Sequence, residues 1–387
     1  MSWLGAGDKQ SISEHQSFWL DAARGLSACL VMLGHIRAYF FGQYNEGIEG
    51  FPEVVQKAFF VFFGLGHEAV MVFFVMSGML IAPKFLGKGR ISTVYLARYI
   101  LDRLARIYCV AIPMILISVI FAYAAQALYG HSYFHAGSDC APSLWDVVAN
   151  LLFLNNGFVE TICSNGPYWS IHNEVYYYFA WPALLLVFLA ESRRIKLAAV
   201  VFLVVSVSAL LLFDAYDTHN TLLLMPVWVL GGLAVYIRRV PGSFPLWLSI
   251  SMCVFVLPSL IPGNSTFLIE AYGLAIVFTC LFIAARNAPI PGRNITIFFR
   301  WLADISFSLY LSHAIFLSFI RTALEYGYGV SLPFNEIAWP QMCFFVIMGL
   351  LCLLLGHICY VLFESKTPKV RTLVHRYLLR ALYQKIP

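Results

Sequence analysis

Long runs of apolar residues alternate with short polar segments along most of this chain. Ten runs each contain about 20 mainly apolar residues, the length that an α-helix needs to cross the hydrocarbon core of a bilayer. They cover residues 17–41, 58–83, 99–128, 167–190, 195–213, 219–238, 244–262, 266–285, 300–324 and 338–362. The pattern predicts an all-α, polytopic integral membrane protein with about ten transmembrane helices.

The charged residues between these runs change sign from one loop to the next. The even-numbered loops contain basic residues such as Lys84, Lys88, Arg193 and Arg286, and the odd-numbered loops contain acidic residues such as Glu49, Asp146, Asp214 and Glu325. Lys and Arg collect in cytoplasmic loops of membrane proteins. Both termini are therefore predicted to be cytoplasmic.

The composition supports this interpretation. Of the 387 residues, 60% are hydrophobic and 12% are charged, and the mean hydropathy is +0.77. Such a chain is unlike a soluble globular protein, and its main partner is expected to be the lipid bilayer. The formal net charge of +5 is then a signal of membrane orientation, and we expect no nucleic-acid binding.

The domain organisation is expected to be simple, with one membrane domain over residues 1–387. It includes a short leader of about residues 1–16 and a basic cytoplasmic tail of about residues 363–387. The first run does not resemble a cleavable signal peptide, because Asp21 and Arg24 lie inside it. In the largest outer loop, Cys140 and Cys163 could form a disulfide if that side of the membrane is oxidising.

Ionisable residues interrupt the first run, in the segment LDAARGLSACLVMLGH. Arg24 and His35 are eleven residues apart, which places them within ~20° of the same helix face and roughly 16 Å apart along the axis. Asp21 lies one turn from Arg24 and can pair with it. Buried ionisable residues in membranes usually face the bundle interior or a water-filled cavity, so the stripe indicates a functional site. The alternative is a structural network that joins helices.

Other polar residues can be placed by their depth in the predicted helices. Glu174 is expected at the outer depth of His35, where its carboxylate could orient the imidazole, and Ser170 lies one turn earlier on the same face. Ser77 and Gly78 are expected at the inner depth of Arg24, although Ser and Gly also allow close helix packing. The ninth run contains two further candidates, Tyr310 and His313. His313 is either a second functional histidine or a hydrogen-bonded packing residue.

Three arginines mark the cytoplasmic start of the third run. Arg98, Arg103 and Arg106 lie in the segment ARYILDRLARIYCV. Guanidinium groups bind phosphates well because they offer paired donors. The alternative is that these arginines only set the orientation of the chain in the membrane, as basic residues of cytoplasmic loops do.

Six segments of the chain resemble the membrane acyltransferase 3 family and occur in the family's order. They are FWLDAARGLSACLVMLGH, FFVMSGMLI, RYILDRLARIY, YWSIHNEVYYYF, ISFSLYLSH and YVLFESKTPK. Members of this family move acyl groups, usually acetyl, onto sugars, lipids or antibiotics. The chain departs from the family pattern at Met79, Ile171, Phe307 and Ser312, and its closing proline is delayed to Pro368. These departures bear on acceptor preference more than on membership.

The resemblance implies a membrane O-acyltransferase that uses cytoplasmic acetyl-CoA or another acyl-CoA and needs no metal. The acceptor would be a hydroxyl of an extracytoplasmic glycan or lipid-linked sugar, and the membrane would be the bacterial inner membrane. The oligomeric state stays open.

The resemblance also suggests a role for each candidate residue. His35 and Glu174 would be catalytic, with His35 as a general base or as a nucleophile that forms an acyl-histidine. The donor would be bound by Arg24, Ser77, Gly78, Arg98, Arg103 and Arg106. The substrate channel would be lined by Asp21, Trp169, Ser170, Tyr310 and His313.

Two other functions would also place His, Glu and Arg inside a membrane. One is a proton-coupled transporter, against which stand the lack of a detectable inverted repeat and the arginine cluster. The other is a non-catalytic membrane sensor that uses the same fold.

Overall fold

The computed structural model describes residues 12–44, 49–85, 91–132, 140–156, 158–163, 165–214, 219–260 and 267–376. The loop residues Lys88 and Ser138, on opposite sides of the predicted membrane, lie outside these ranges. The described residues form thirteen α-helices. They are α1 (Glu14–Phe40), α2 (Glu53–Phe62), α3 (Gly66–Ile81), α4 (Thr93–Tyr129), α5 (Leu144–Leu151), α6 (Tyr168–Leu189), α7 (Arg193–Phe213), α8 (Thr221–Leu233), α9 (Phe244–Val256), α10 (Phe267–Ala284), α11 (Arg293–Thr322), α12 (Trp339–Leu362) and α13 (Thr367–Val374).

The all-α class is confirmed, and nine of the ten predicted runs each correspond to one α-helix, whereas the second is divided between two. Six helical segments are long and apolar enough to cross a membrane: Glu53–Lys84, Thr93–Tyr129, Arg193–Phe213, Phe267–Asn287, Arg293–Gly327 and Trp339–Val374. Two apolar helical segments, Thr221–Tyr236 and Phe244–Val256, are shorter. The count of ten spans and the cytoplasmic position of both termini stay predictions.

The second predicted run is broken in the structure. α2 ends at Phe62 and α3 begins at Gly66. The carbonyl of Phe63, near the end of α2, accepts a hydrogen bond of 3.1 Å from Arg37 Nε of α1. A backbone group inside a membrane needs such a partner because lipid offers none. Arg37 therefore stabilises the break from a neighbouring helix.

α1 and α11 pack side by side in the same direction. A Cβ atom on Gly25 would lie 2.8 Å from Leu302 Cγ, and further along both helices His35 Nδ1 lies 3.1 Å from His313 Nε2. Glycine allows this close approach because it has no side chain. The parallel pair therefore brings the polar stripe of α1 against the polar residues of α11.

The predicted outer side carries a disulfide and a pair of short strands. Cys140 and Cys163 form a disulfide, and α5 lies in the loop that it closes. The two short strands, Glu49–Gly50 and Glu336–Ile337, pair in parallel. These links join segments that connect different helices on one side of the bundle.

Candidate active site

One cavity of about 390 Å³ lies between five helices of the bundle. Its walls come from α1, α3, α4, α6 and α11. Seven of the residues predicted for the site line it: Arg24, Ser77, Arg103, Arg106, Ser170, Glu174 and Tyr310. Its volume lies within the range of small-molecule binding sites, which is about 300–1,000 Å³. The structure thus brings together residues that are widely separated in the sequence.

Cations collect at one end of the cavity. Lys84 lines it together with Arg24, Arg103 and Arg106. The Arg24 Nη2 atom lies 3.2 Å from Asp21 Oδ1. A group with several negative charges would bind well here, because the cations outnumber the acidic side chains that line the cavity.

Glu364 is a residue of this region that the sequence analysis did not place in the site. Its Oε2 atom accepts hydrogen bonds from the Ser308 backbone amide (3.1 Å) and from Ser308 Oγ (2.7 Å). It also interacts electrostatically with Arg106 and Arg24. A signal for it was available, since Glu364 is the only acidic residue in the tail after residue 362.

Glu174 lies further along the cavity in a network of hydrogen bonds. Its Oε1 atom accepts one from Ser77 Oγ at 2.6 Å and one from the Tyr178 hydroxyl. Trp228 Nε1 donates to Ser77 Oγ at 3.1 Å. Trp228 is fully buried and was not predicted, since a tryptophan in an apolar helix carries no signal of its partner.

The predicted depth of Glu174 needs correction. The sequence placed Ser77 at the inner depth of Arg24 and Glu174 at the outer depth of His35, but the two side chains are in direct contact. Gly66 of α3 lies beside Val31 of α1, so Ser77, eleven residues further, lies near the level of Arg24 as predicted. It is Glu174 that lies further in than His35.

Two hydroxyl groups lie at the next level of the cavity. Ser170 Oγ and the Tyr310 hydroxyl are 2.7 Å apart. Ser170 Oγ also donates to the Pro167 carbonyl at 3.2 Å, and a carbonyl can only accept. The single hydroxyl hydrogen of Ser170 is therefore committed to Pro167, so Tyr310 donates to Ser170 and keeps oxygen lone pairs for another group.

A pair of histidines follows beyond Tyr310. The ring centroids of Tyr310 and His313 are 6.2 Å apart, and His313 Nε2 lies 3.1 Å from His35 Nδ1. His313 is buried and His35 is partly exposed. The structure thus gives His35 a histidine as side-chain partner, while the hydrogen bonds described for Glu174 go to Ser77 and Tyr178.

The hydrogen bonds of the two rings define their tautomers. His313 Nδ1 lies 2.8 Å from the Leu309 carbonyl and His35 Nδ1 lies 3.0 Å from the Val31 carbonyl. Carbonyls only accept, so both Nδ1 atoms carry hydrogen. In the neutral pair, the single Nδ1 hydrogen of His35 is then shared between the Val31 carbonyl and His313 Nε2, which accepts from it. His35 consequently has its lone pair on Nε2, the form that a general base requires.

Like His35 and His313, the remaining predicted residues lie around the cavity and do not line it. Arg98 is exposed on α4. Trp169 packs against the rings of His67 and His219, at centroid distances of 5.8 and 4.3 Å. Asp21 lines an adjacent cavity of about 580 Å³, which it shares with Arg24.

Gly78 faces α8 from the far side of α3. A Cβ atom at this position would collide with the backbone carbonyl of Trp228. In this structure Gly78 therefore lies at a contact between two helices.

No group of three His, Cys, Asp or Glu side chains that could hold a metal ion occurs among the described residues.

Comparison with known proteins adds one finding. The model of a family described as an acyltransferase domain matches residues 17–361. Neither the curated proteins nor the solved structures provide a match to the chain.

Proposed function

This chain belongs to the membrane acyltransferase 3 family, and from that premise we propose that it transfers an acetyl group from cytoplasmic acetyl-CoA to a hydroxyl group. The proposed acceptor is an extracytoplasmic glycan or a lipid-linked sugar, and the proposed location is the bacterial inner membrane. The observation that carries the proposal is the single cavity that joins a cluster of cations to hydroxyl groups beside two histidines.

In the proposed reaction the two ends of the cavity have different roles. The phosphates of coenzyme A bind among Lys84, Arg103, Arg106 and Arg24, and the thioester extends past Tyr310. The Nε2 atom of His35 takes the proton of the acceptor hydroxyl as its oxygen attacks the thioester carbonyl. A carbon–oxygen bond forms, the carbon–sulfur bond breaks, and the imidazolium returns the proton to the departing thiolate.

The disulfide is consistent with the proposed sides of the membrane. Disulfides persist in oxidising compartments such as the periplasm, and Cys140 and Cys163 lie in a loop with acidic residues. The donor binds at the opposite, basic side, which matches a cytoplasmic coenzyme. This arrangement supports transfer across the membrane from an inner donor to an outer acceptor.

The decisive experiment replaces the proposed base. We expect His35→Gln to lower acetyl transfer by about 10² to 10⁴, the usual contribution of general acid–base catalysis, while acetyl-CoA still binds. The activity is measured as thiol released from acetyl-CoA by reconstituted protein with membrane glycolipids, together with acetyl-sized mass increments on the glycans. His357→Gln is the matched control, since His357 contacts Trp301 and lies on α12, which contributes no residue to the cavity.

Two outcomes would contradict the proposal. Parent-like transfer by His35→Gln would show that the histidine is structural. Proton movement by the parent protein without thioester cleavage would favour a transporter.

A further inference from the structure

Polar groups recur at one-turn intervals along the wall that α6 contributes to the cavity. Tyr178, Glu174 and Ser170 are four residues apart and all line it. Four residues of helix correspond to about 6 Å along the axis. The guanidinium of Arg103 lies 6.0 Å from the centre of the Tyr178 ring. Tyr178 beside the cationic end, Glu174 and Ser170 therefore follow one another at intervals of about 6 Å along α6.

α11 extends this series toward the histidines. Tyr310 is hydrogen-bonded to Ser170, and His313 follows three residues later, which adds about 4.5 Å. Counted by helix rise from the turn of Tyr178, Glu174 follows after about 6 Å, the Ser170–Tyr310 pair after about 12 Å and His313 after about 17 Å.

The pantetheine arm of coenzyme A has polar groups at similar intervals. Twelve bonds separate its phosphate-ester oxygen from its sulfur, and the two amide nitrogens follow after five and nine bonds. At about 1.2 Å per bond of an extended chain, the amides lie at about 6 and 11 Å and the sulfur at about 14 Å. These positions follow the order of Glu174, the hydroxyl pair and the histidines and lie within about 3 Å of them.

We propose that Glu174 and Tyr310 bind the two amides of the pantetheine arm and thereby set the depth of the thioester. Glu174 accepts the N–H of the amide nearer the phosphate, and Tyr310 accepts the N–H of the amide nearer the sulfur. The thioester then lies beside His35 and His313. This inference rests on the proposed acyl-CoA donor and assigns Glu174 to donor positioning, distinct from the catalytic role expected from the sequence.

The hydrogen bonds of the cavity support these roles. An amide N–H that leaves water for an apolar cavity must find an acceptor. Both hydrogen bonds that Glu174 receives end on Oε1, so Oε2 can accept from a ligand. Glu174 is also the only carboxylate among the described residues that line the cavity. Tyr310 donates its hydrogen to Ser170 and offers its oxygen lone pairs.

The test compares two donors that differ in the number of amides. Acetyl-CoA has both amides, whereas S-acetyl-N-acetylcysteamine retains only the one nearer the sulfur. We expect Glu174→Gln to lower kcat/KM for acetyl-CoA by roughly tenfold to a hundredfold, as for a hydrogen bond to a charged group, and to change that for the short donor less than about twofold. Tyr310→Phe should lower kcat/KM for both donors. Glu191→Gln, at an exposed position, is the matched control.

The possible results are distinct. Equal losses for both donors in Glu174→Gln would assign the carboxylate to the chemical step, and no loss for either donor would remove it from the site, so each overturns the inference. If the parent protein cleaves neither donor, the proposed function itself fails. Should Glu174→Gln fold poorly, the parent protein can be tested with an acetyl-CoA analogue whose amide nearer the phosphate is an ester. The kcat/KM for that analogue should be at least tenfold below the kcat/KM for acetyl-CoA. An equal kcat/KM for the two donors would contradict the proposal.

Discussion

At the scale of single residues, the pairing of His35 with His313 gives the first histidine a defined orientation. Each ring donates from Nδ1 to a carbonyl of its own helix, and the rings meet across the interface of α1 and α11. His313 is fully buried, so it acts on His35 without reaching solvent. We therefore regard His313 as a positioning residue of the proposed reaction.

This role predicts different results for two substitutions of similar size. His313→Leu removes the acceptor for His35 Nδ1–H and should lower kcat by about tenfold, the worth of one good hydrogen bond. His313→Gln offers a carbonyl oxygen in its place and should retain most of the rate. The KM for acetyl-CoA should stay within about twofold in both variants, because neither change alters the cationic end.

Steady-state kinetics measures kcat and KM for both His313 variants. Size-exclusion chromatography measures the amount of folded protein in each sample. Equal rates in the two variants, or losses that follow only the amount of folded protein, would return His313 to a packing role.

At the scale of helices, glycines decide how closely α3 and α8 approach. A Cβ atom on Gly78 would overlap the Trp228 carbonyl, and one on Gly231 would overlap the Val75 carbonyl. Backbone atoms cannot move away as flexible side chains do. The contact also places Trp228, which donates to Ser77 in the cavity. Packing between α3 and α8 therefore supports the network around Glu174.

We expect Gly78→Ala to destabilise the protein by about 1–3 kcal/mol, the usual effect of forcing extra volume into a packed contact. Gly66→Ala is the matched control on the same helix, because its Cβ would lie 3.7 Å from Val31 Cα, an ordinary contact. Thermal unfolding in detergent should show a lower midpoint for Gly78→Ala alone. If both variants unfold at the parent temperature, the helices separate more easily than this contact implies.

At the scale of the whole molecule, the cations that line the cavity and the disulfide lie on opposite sides of the bundle. The cations of the cavity lie near the junctions of α3 with α4 and of α12 with α13, whereas the disulfide lies between α4 and α6. A donor that enters from one side and an acceptor that arrives from the other could meet at the histidines. The proposed function depends on this orientation.

Labelling of two engineered cysteines tests the orientation. Glu160 and Glu191 are both exposed, and they lie before and after α6. In intact cells a membrane-impermeant maleimide should label Glu160→Cys, and Glu191→Cys should react only after lysis. The parent protein measures the background from the exposed native Cys253 and Cys343. The reverse pattern would exchange the inner and outer ends of the cavity and contradict the proposed transfer.

The sequence by itself determined the helical class and most of the helix positions. A run of about 20 apolar residues satisfies its backbone hydrogen bonds within one helix, so its location is a local property of the chain. The eleven-residue spacing of Arg24 and His35 likewise follows from helix geometry alone. Six ordered segments were sufficient to indicate the family.

Only the tertiary structure decided which side chains meet. The contacts of Ser77 with Glu174, of His35 with His313 and of Glu364 with Ser308 each join two helices. They depend on how far one helix slides and rotates against another, which small residues such as Gly25 help to determine without any local signal. The break between α2 and α3 is of the same kind. The Phe63 carbonyl at this break accepts a hydrogen bond from Arg37 of α1. The sequence of the second run alone therefore could not show where its first helix ends.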